Sequence, residues 1–124
     1  MYRRILVGTD GSATASRAVD RAVDVARTAQ ATLTIFSASR KDEGERIVAA
    51  EAARHASSGV AIDTKVVQGE PLGALVDTVR QGGYDLVVLG NRGMTGVARF
   101  LRLGSVPNKV THHLPCSVLI VKTT

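Results

Sequence analysis

The sequence predicts one α/β domain, a five-stranded parallel sheet with helices on both faces. Three observations lead there. Apolar runs alternate along the chain with segments whose apolar residues recur at helical spacing, the pattern of strand–helix–strand units. The first and fourth runs, Ile5-Leu-Val-Gly8 and Tyr84-Asp-Leu-Val-Val-Leu89, are nearly unbroken, as strands covered on both faces are. A glycine-rich stretch then separates the fourth run from a segment able to open a helix.

The elements follow in order. Ile5 to Gly8, after two arginines, reads as a central strand. From Ser12 the pattern changes: Ala15, Ala18, Val19, Ala22, Val23 and Ala26 recur at helical spacing, with Arg17, Asp20, Arg21, Asp24 and Arg27 between them. That is an amphipathic helix whose small-residue face packs closely on a sheet. Thr32 to Ala38 is the second strand. Asp42 to Ser57 is helix-forming, with Ile47, Val48, Ala52 and Ala56 as its inner face, and Ser57-Ser-Gly59 ends it. Ala61 to Val67 alternates and reads as a third strand near an edge. Gly69-Glu-Pro71 opens the next helix, because proline lacks only an N–H that would have no partner there. Leu72, Leu75, Val76 and Val79 carry that helix to Gly82-Gly83. Tyr84 to Leu89 is the fourth strand, a helix spans about Ser105 to His113 with Pro107 in its first turn, and Ser117 to Val121 is the last strand.

Composition narrows the function. A chain of 124 residues with 44% apolar and 22% charged content suits one globular core. There is no apolar run of about 18 residues, so no transmembrane helix is expected. The short apolar start runs into Asp10 and not into a small-residue cleavage site, which argues against a signal peptide. The lone Cys116 excludes an intramolecular disulfide and fits a reducing cytoplasm. The isoelectric point is near 10.0. Even so, there is no basic run, and Tyr2, Phe36, Tyr84 and Phe100 are the only aromatic residues, so no nucleic-acid partner is expected.

The chemistry concentrates after the fourth strand. Gly90, Gly93 and Gly96 let the backbone turn tightly and bring its N–H groups to an anion. Gly104-Ser105 sits where a helix start presents free N–H donors. Beyond Asp85 there is no carboxylate side chain, yet Arg92, Arg99, Arg102, Lys109 and Lys122 all follow. The other cationic residues balance the acidic ones, so the whole net charge of +5 lies in the last third. A one-sign region beside a glycine loop favours an anionic ligand. Parallel-sheet topology would gather three loops beyond the strand ends: Thr9-Asp10-Gly11-Ser12, the turn at Ala38-Ser39 and the glycine loop. The first of these also reads as a turn with a helix N-cap, a role compatible with ligand contact. Arg99 and Arg102 read as a solvated face. His55, His112 and His113 do not form a metal site, because adjacent helical histidines diverge and no partner lies at ligand spacing. Cys116 reads as a buried residue at the start of the last strand.

These residues resemble the universal stress protein family in its small single-domain form. The match spans nearly the whole chain and rests on Ile5-Leu-Val-Gly-Thr-Asp-Gly-Ser12, Gly69-Glu-Pro71, Asp85-Leu-Val-Val-Leu-Gly90 and Gly104-Ser-Val106. The resemblance implies strand order 3-2-1-4-5, a homodimer through the last strand Ser117–Val121, and ATP lying over the strand ends, with or without Mg2+. It implies that Asp10 approaches the ribose or a phosphate-bound metal. Gly8 and Thr9 would supply backbone at the adenine side, and Ala38 an apolar wall. Gly90, Arg92, Gly93, Met94 and Gly96 would wrap the phosphates, with Arg92 a contact on charge grounds. Gly104, Ser105 and Val106 would meet the ligand at the helix start. One departure stands out. ATP-binding members place nine residues between the second and third glycines, whereas Met94 to Leu103 is ten. Either a bulge near Arg102 absorbs the extra residue, or Ser105 moves off the phosphate. Cyclic AMP, or no nucleotide at all, are the family's alternatives. No Gly-Lys-Ser/Thr P-loop, Gly-x-Gly-x-x-Gly turn or Gly-x-Ser-x-Gly elbow occurs, so a cytoplasmic binding or sensor protein is expected, at most a very slow ATPase.

Overall fold

The computed structural model describes residues 1–91 and 113–122. Along them run β1 (Arg4–Gly8), α1 (Ala13–Ala29), β2 (Thr32–Ala38), α2 (Lys41–Arg54), β3 (Ile62–Val67), α3 (Pro71–Gly82), β4 (Leu86–Gly90) and β5 (Ser117–Val121). All pairings are parallel, in the order β3-β2-β1-β4-β5. The expected sheet and its order are therefore present. The helix expected over 105 to 113 lies outside the described residues, apart from its final position.

Period-two alternation explains why a run such as Ile5-Leu-Val can be wholly apolar: its side chains serve two cores. Ile5, Val7, Leu33, Ile35, Leu86 and Val88 pack with Ala18, Val19, Ala22 and Val23 of α1 and Val48 of α2. Leu6, Phe36, Val87 and Leu89 point the other way, onto Leu75, Val76 and Val79 of α3. Ser12 caps α1, its Oγ accepting from the Ala15 N–H at 3.1 Å. The helix ends at Gln30 in the left-handed region, φ 56°, with no glycine to signal the stop.

The second helix departs most from expectation. It begins at Lys41 and ends at Arg54, short of the expected Ser57, and Ala56 is exposed. The buried positions are Gly44, Val48 and Glu51, while Ile47 is only half-buried. A Cβ at Gly44 would collide with Val66 Cγ1 and lie 2.7 Å from Ser39 Oγ, so glycine sets how closely α2 approaches β3. On its other side α2 meets α1 through polar groups. Glu51 accepts from Ser16 Oγ at 2.7 Å, and from Arg54 Nε at 3.2 Å and Nη2 at 3.0 Å. Arg54 Nη2 also donates to Asp20 Oδ1 at 2.7 Å. The bonds to Glu51 and then Asp20 raise the guanidinium pKa above its ordinary range.

Three smaller corrections follow from pairing. Half of β3 is exposed and the rest half-buried, without clean alternation, on a strand that among the described residues is an edge paired with β2. β4 starts at Leu86, not at Tyr84; just before it the Asp85 N–H donates to the Arg4 carbonyl at 2.9 Å, and the Asp85 carboxylate accepts from the backbone N–H of Arg3 at 2.8 Å and of Arg4 at 3.2 Å. Tyr84 beside it donates to Thr34 Oγ1 at 3.2 Å, with the Arg4 guanidinium 4.6 Å above its ring. Cys116 is half-buried, not buried, and partial burial together with the nearby Asp85 pushes its thiol pKa up.

Arg54→Met is expected to destabilise the fold by about 1–2 kcal/mol in urea denaturation, since it strips the nearly buried Glu51 of two donors, discounted for the exposure of Arg54 itself. A guanidinium whose pKa is raised on folding contributes fully below its unfolded value. The loss should therefore be equal at pH 7 and pH 9.

Candidate functional site at the strand ends

Strand order reverses beside β1. The chain moves outward through β2 and β3, then returns to the other side of β1 as β4. In such a sheet the crevice opens beyond the carboxyl ends at the reversal. Gly8 pairs in register with Phe36, and Val7 with Val88, so Gly8 stands level with Leu89 and one step short of Gly90. Gly8 and Gly90 end their strands buried, and Ala38 ends β2 half-buried. Among the described residues these three strands thus finish in two glycines and an alanine, small enough for a flat ring laid over the strand ends.

The loop after β1 is built by its own side chains. The Thr9 N–H donates across to the Phe36 carbonyl at 2.9 Å, prolonging the sheet by one bond. Thr9 is 1% exposed, and its Oγ1 accepts from the Gly11 N–H at 3.1 Å. Asp10 is exposed, and its Oδ1 accepts from the Ser12 N–H at 2.9 Å. This local Asx turn, followed by the Ser12 cap, bears out the turn-and-cap expectation. Gly11 has φ +84°, a conformation that favours glycine. One Asp10 oxygen thus holds the turn while the carboxylate stays open to solvent, as a contact to a ribose hydroxyl or a metal would need.

Of the expected site residues, the structure brings together Gly8, Thr9, Asp10, Ala38 and Gly90. Arg92, Gly93, Met94, Gly96, Gly104, Ser105 and Val106 lie outside the described residues, as does the ten-residue spacer. Two neighbours escaped the sequence reading. Ser37 is 1% exposed, and its Oγ lies 3.0 Å from Ser39 Oγ, pinning the backbone on both sides of Ala38. Ile47 of α2 rests over Gly11: a Cβ there would be 3.0 Å from Ile47 Cγ1. The Ser-Ala-Ser alternation was a signal for the first; nothing in sequence signals the second. Open hollows of about 630 Å³ and 550 Å³ flank β3, against α2 and α3 respectively, and include none of these loop residues. Among the described residues no three His, Cys, Asp or Glu side chains gather to hold a metal.

The universal stress protein family model matches residues 1–45 and 37–122. The chain is 34% identical to universal stress protein Rv1636 of Mycobacterium tuberculosis over 145 residues, covering 99% of this chain and 98% of that one. It is 30% identical to universal stress protein YxiE of Bacillus subtilis, covering 98% of this chain and 100% of the relative. A crystal structure of a universal stress protein in complex with cAMP superposes with TM-score 0.83 and 38% identity, covering 99% of this chain and 98% of that one.

Proposed function

This chain belongs to the universal stress protein family, and on that premise we propose that it binds an adenine nucleotide beyond the carboxyl ends of β1, β2 and β4. The carrying observation is the meeting of the Gly8-Thr9-Asp10 turn, Ala38 and Gly90 at the strand-order reversal. It is supported by 38% identity to a family member solved with cAMP. ATP is the first candidate, with or without Mg2+, and cyclic AMP the second. Ala38 offers the apolar wall for the base, Gly8 and Thr9 their backbone, and Asp10 its carboxylate to the ribose or a phosphate-bound cation. The cationic glycine loop from Gly90 through Arg92, Gly93, Met94 and Gly96, with Gly104, Ser105 and Val106, takes the phosphates. The protein responds to occupancy and not by turnover, since no P-loop lysine is present to assist phosphoryl transfer. A cytoplasmic setting suits its single cysteine.

The signal passes through a homodimer formed along β5. Leu119 and Ile120 are each 36% exposed there, on a strand at the sheet's edge in the described residues. An open apolar edge is a template for a second copy. A second reading keeps the dimer and dispenses with the nucleotide. The ten-residue spacer before Gly104 favours it, because a displaced Ser105 would leave the phosphates without their helix-start donors.

Isothermal titration with ATP, ADP and cyclic AMP separates the two. The nucleotide reading expects binding on the order of micromolar, weakened about tenfold by Asp10→Ala and by Ser105→Ala. A folded sample giving no heat with any of the three leaves the second reading standing. Phosphate release from ATP should match a blank without protein; release that disappears in Asp10→Asn would make this an ATPase. In sedimentation, a dimer should become monomeric in Ile120→Lys, and a wild type monomeric at high concentration would refute the β5 interface.

A further inference from the structure

Glu51 sits on α2 yet reaches across to α1. It is 5% exposed, and its carboxylate accepts from Ser16 Oγ and from two guanidinium nitrogens of Arg54. Arg54 reaches on to Asp20 Oδ1 at 2.7 Å and to the Ser16 carbonyl at 3.4 Å, and His55 Nε2 lies 2.9 Å from the same Asp20 oxygen. Side chains of two helices thus lock α2 to the first turns of α1. Those turns grow directly from the Asp10 turn, through the Ser12 cap. One helical turn before Glu51, on the same side of α2, stands Ile47, whose Cγ1 and Cδ1 would lie 3.0 Å and 3.3 Å from a Cβ on Gly11. The lock and the residue resting on the site loop therefore occupy the same stretch of α2.

We propose that Glu51 is a positioning residue for the site: it holds α2 at the depth at which Ile47 closes over Gly11, and so sets the Thr9-Asp10-Gly11-Ser12 turn before any ligand arrives. A carboxylate buried with several donors tolerates few geometries, because each lost donor leaves it under-satisfied in a low dielectric. Apolar residues would hold two helices together equally well but with more freedom to slide. A turn set in advance spares the ordering cost of binding. The inference rests on the nucleotide reading for its ligand, but not for its effect on the turn.

Hydrogen exchange in ligand-free protein reads that effect directly. The Gly11 and Ser12 amides are held by the turn's own bonds, to Thr9 Oγ1 and Asp10 Oδ1. Glu51→Gln keeps the shape but removes the charge that pairs Arg54. Ile47→Ala leaves the lock intact. Each should speed exchange at both amides by about tenfold, with central β4 amides unchanged relative to global stability. The double variant should be no faster than the faster single one, since both act through one contact. Exchange at Gly11 and Ser12 that stays at the wild-type rate in Ile47→Ala, or in a folded Glu51→Gln of lowered Tm, overturns the proposal and leaves Glu51 a stabilising residue only. Where wild type binds ATP or cyclic AMP, both variants should weaken it about tenfold. A wild type that binds neither removes the ligand half of the proposal and the nucleotide reading with it, while the exchange rates still decide the turn.

Discussion

The structure depends on β1 being buried on both faces at the centre of a parallel sheet. Ile5, Leu6 and Val7 are each 0% exposed, and they can be so only because neighbouring strands take every ladder bond and helices cover both sides. The sheet order reverses at this strand, so the chain leaves its carboxyl end toward one face while β4 approaches from the other. The crevice is what that geometry leaves over. Thr9 shows the constraint locally: its amide makes one more bond to the β2 backbone before the loop turns away.

The two ends of the sheet are finished differently. At the amino end, side chains close it: Asp85 holds the Arg3 and Arg4 amides, and Tyr84 lies between Arg4 and Thr34. At the carboxyl end, the strands finish in Gly8, Ala38 and Gly90, and the polar groups of the β1 loop satisfy one another within four residues. Side-chain bonds to backbone and a cation–ring contact stabilise one end, whereas the strands at the other finish in small residues. This asymmetry supports the carboxyl end as the place for the proposed nucleotide.

The helix pair on one face combines two kinds of packing. The alanine face of α1 settles onto β1 and β4 and needs only apolar contact. The second helix has little apolar surface and is held instead by a glycine against β3 and a nearly buried carboxylate against α1. Polar packing of this sort resists sliding because its hydrogen bonds are directional, which is why α2 can act on a loop it does not belong to.

Much of this was legible from residue order alone. The five strands, the sheet class, the Pro71 helix start and the Ser12 cap follow from local patterns, periodicity and turn chemistry; the gathering of the loops after β1, β2 and β4 at one end follows from parallel topology, and the naming of Gly8 and Ala38 there from the family resemblance. Tertiary structure alone decided the inner face of α2, the left-handed stop at Gln30, the start of β4 beyond Asp85, and the placing of Glu51 and Ile47. Most of these depend on partners on other elements, as Gly44 does on Val66 and Glu51 on Ser16, 35 residues away. A periodic pattern reports which face of a helix is apolar; it carries no record of a buried carboxylate whose partners sit on another helix.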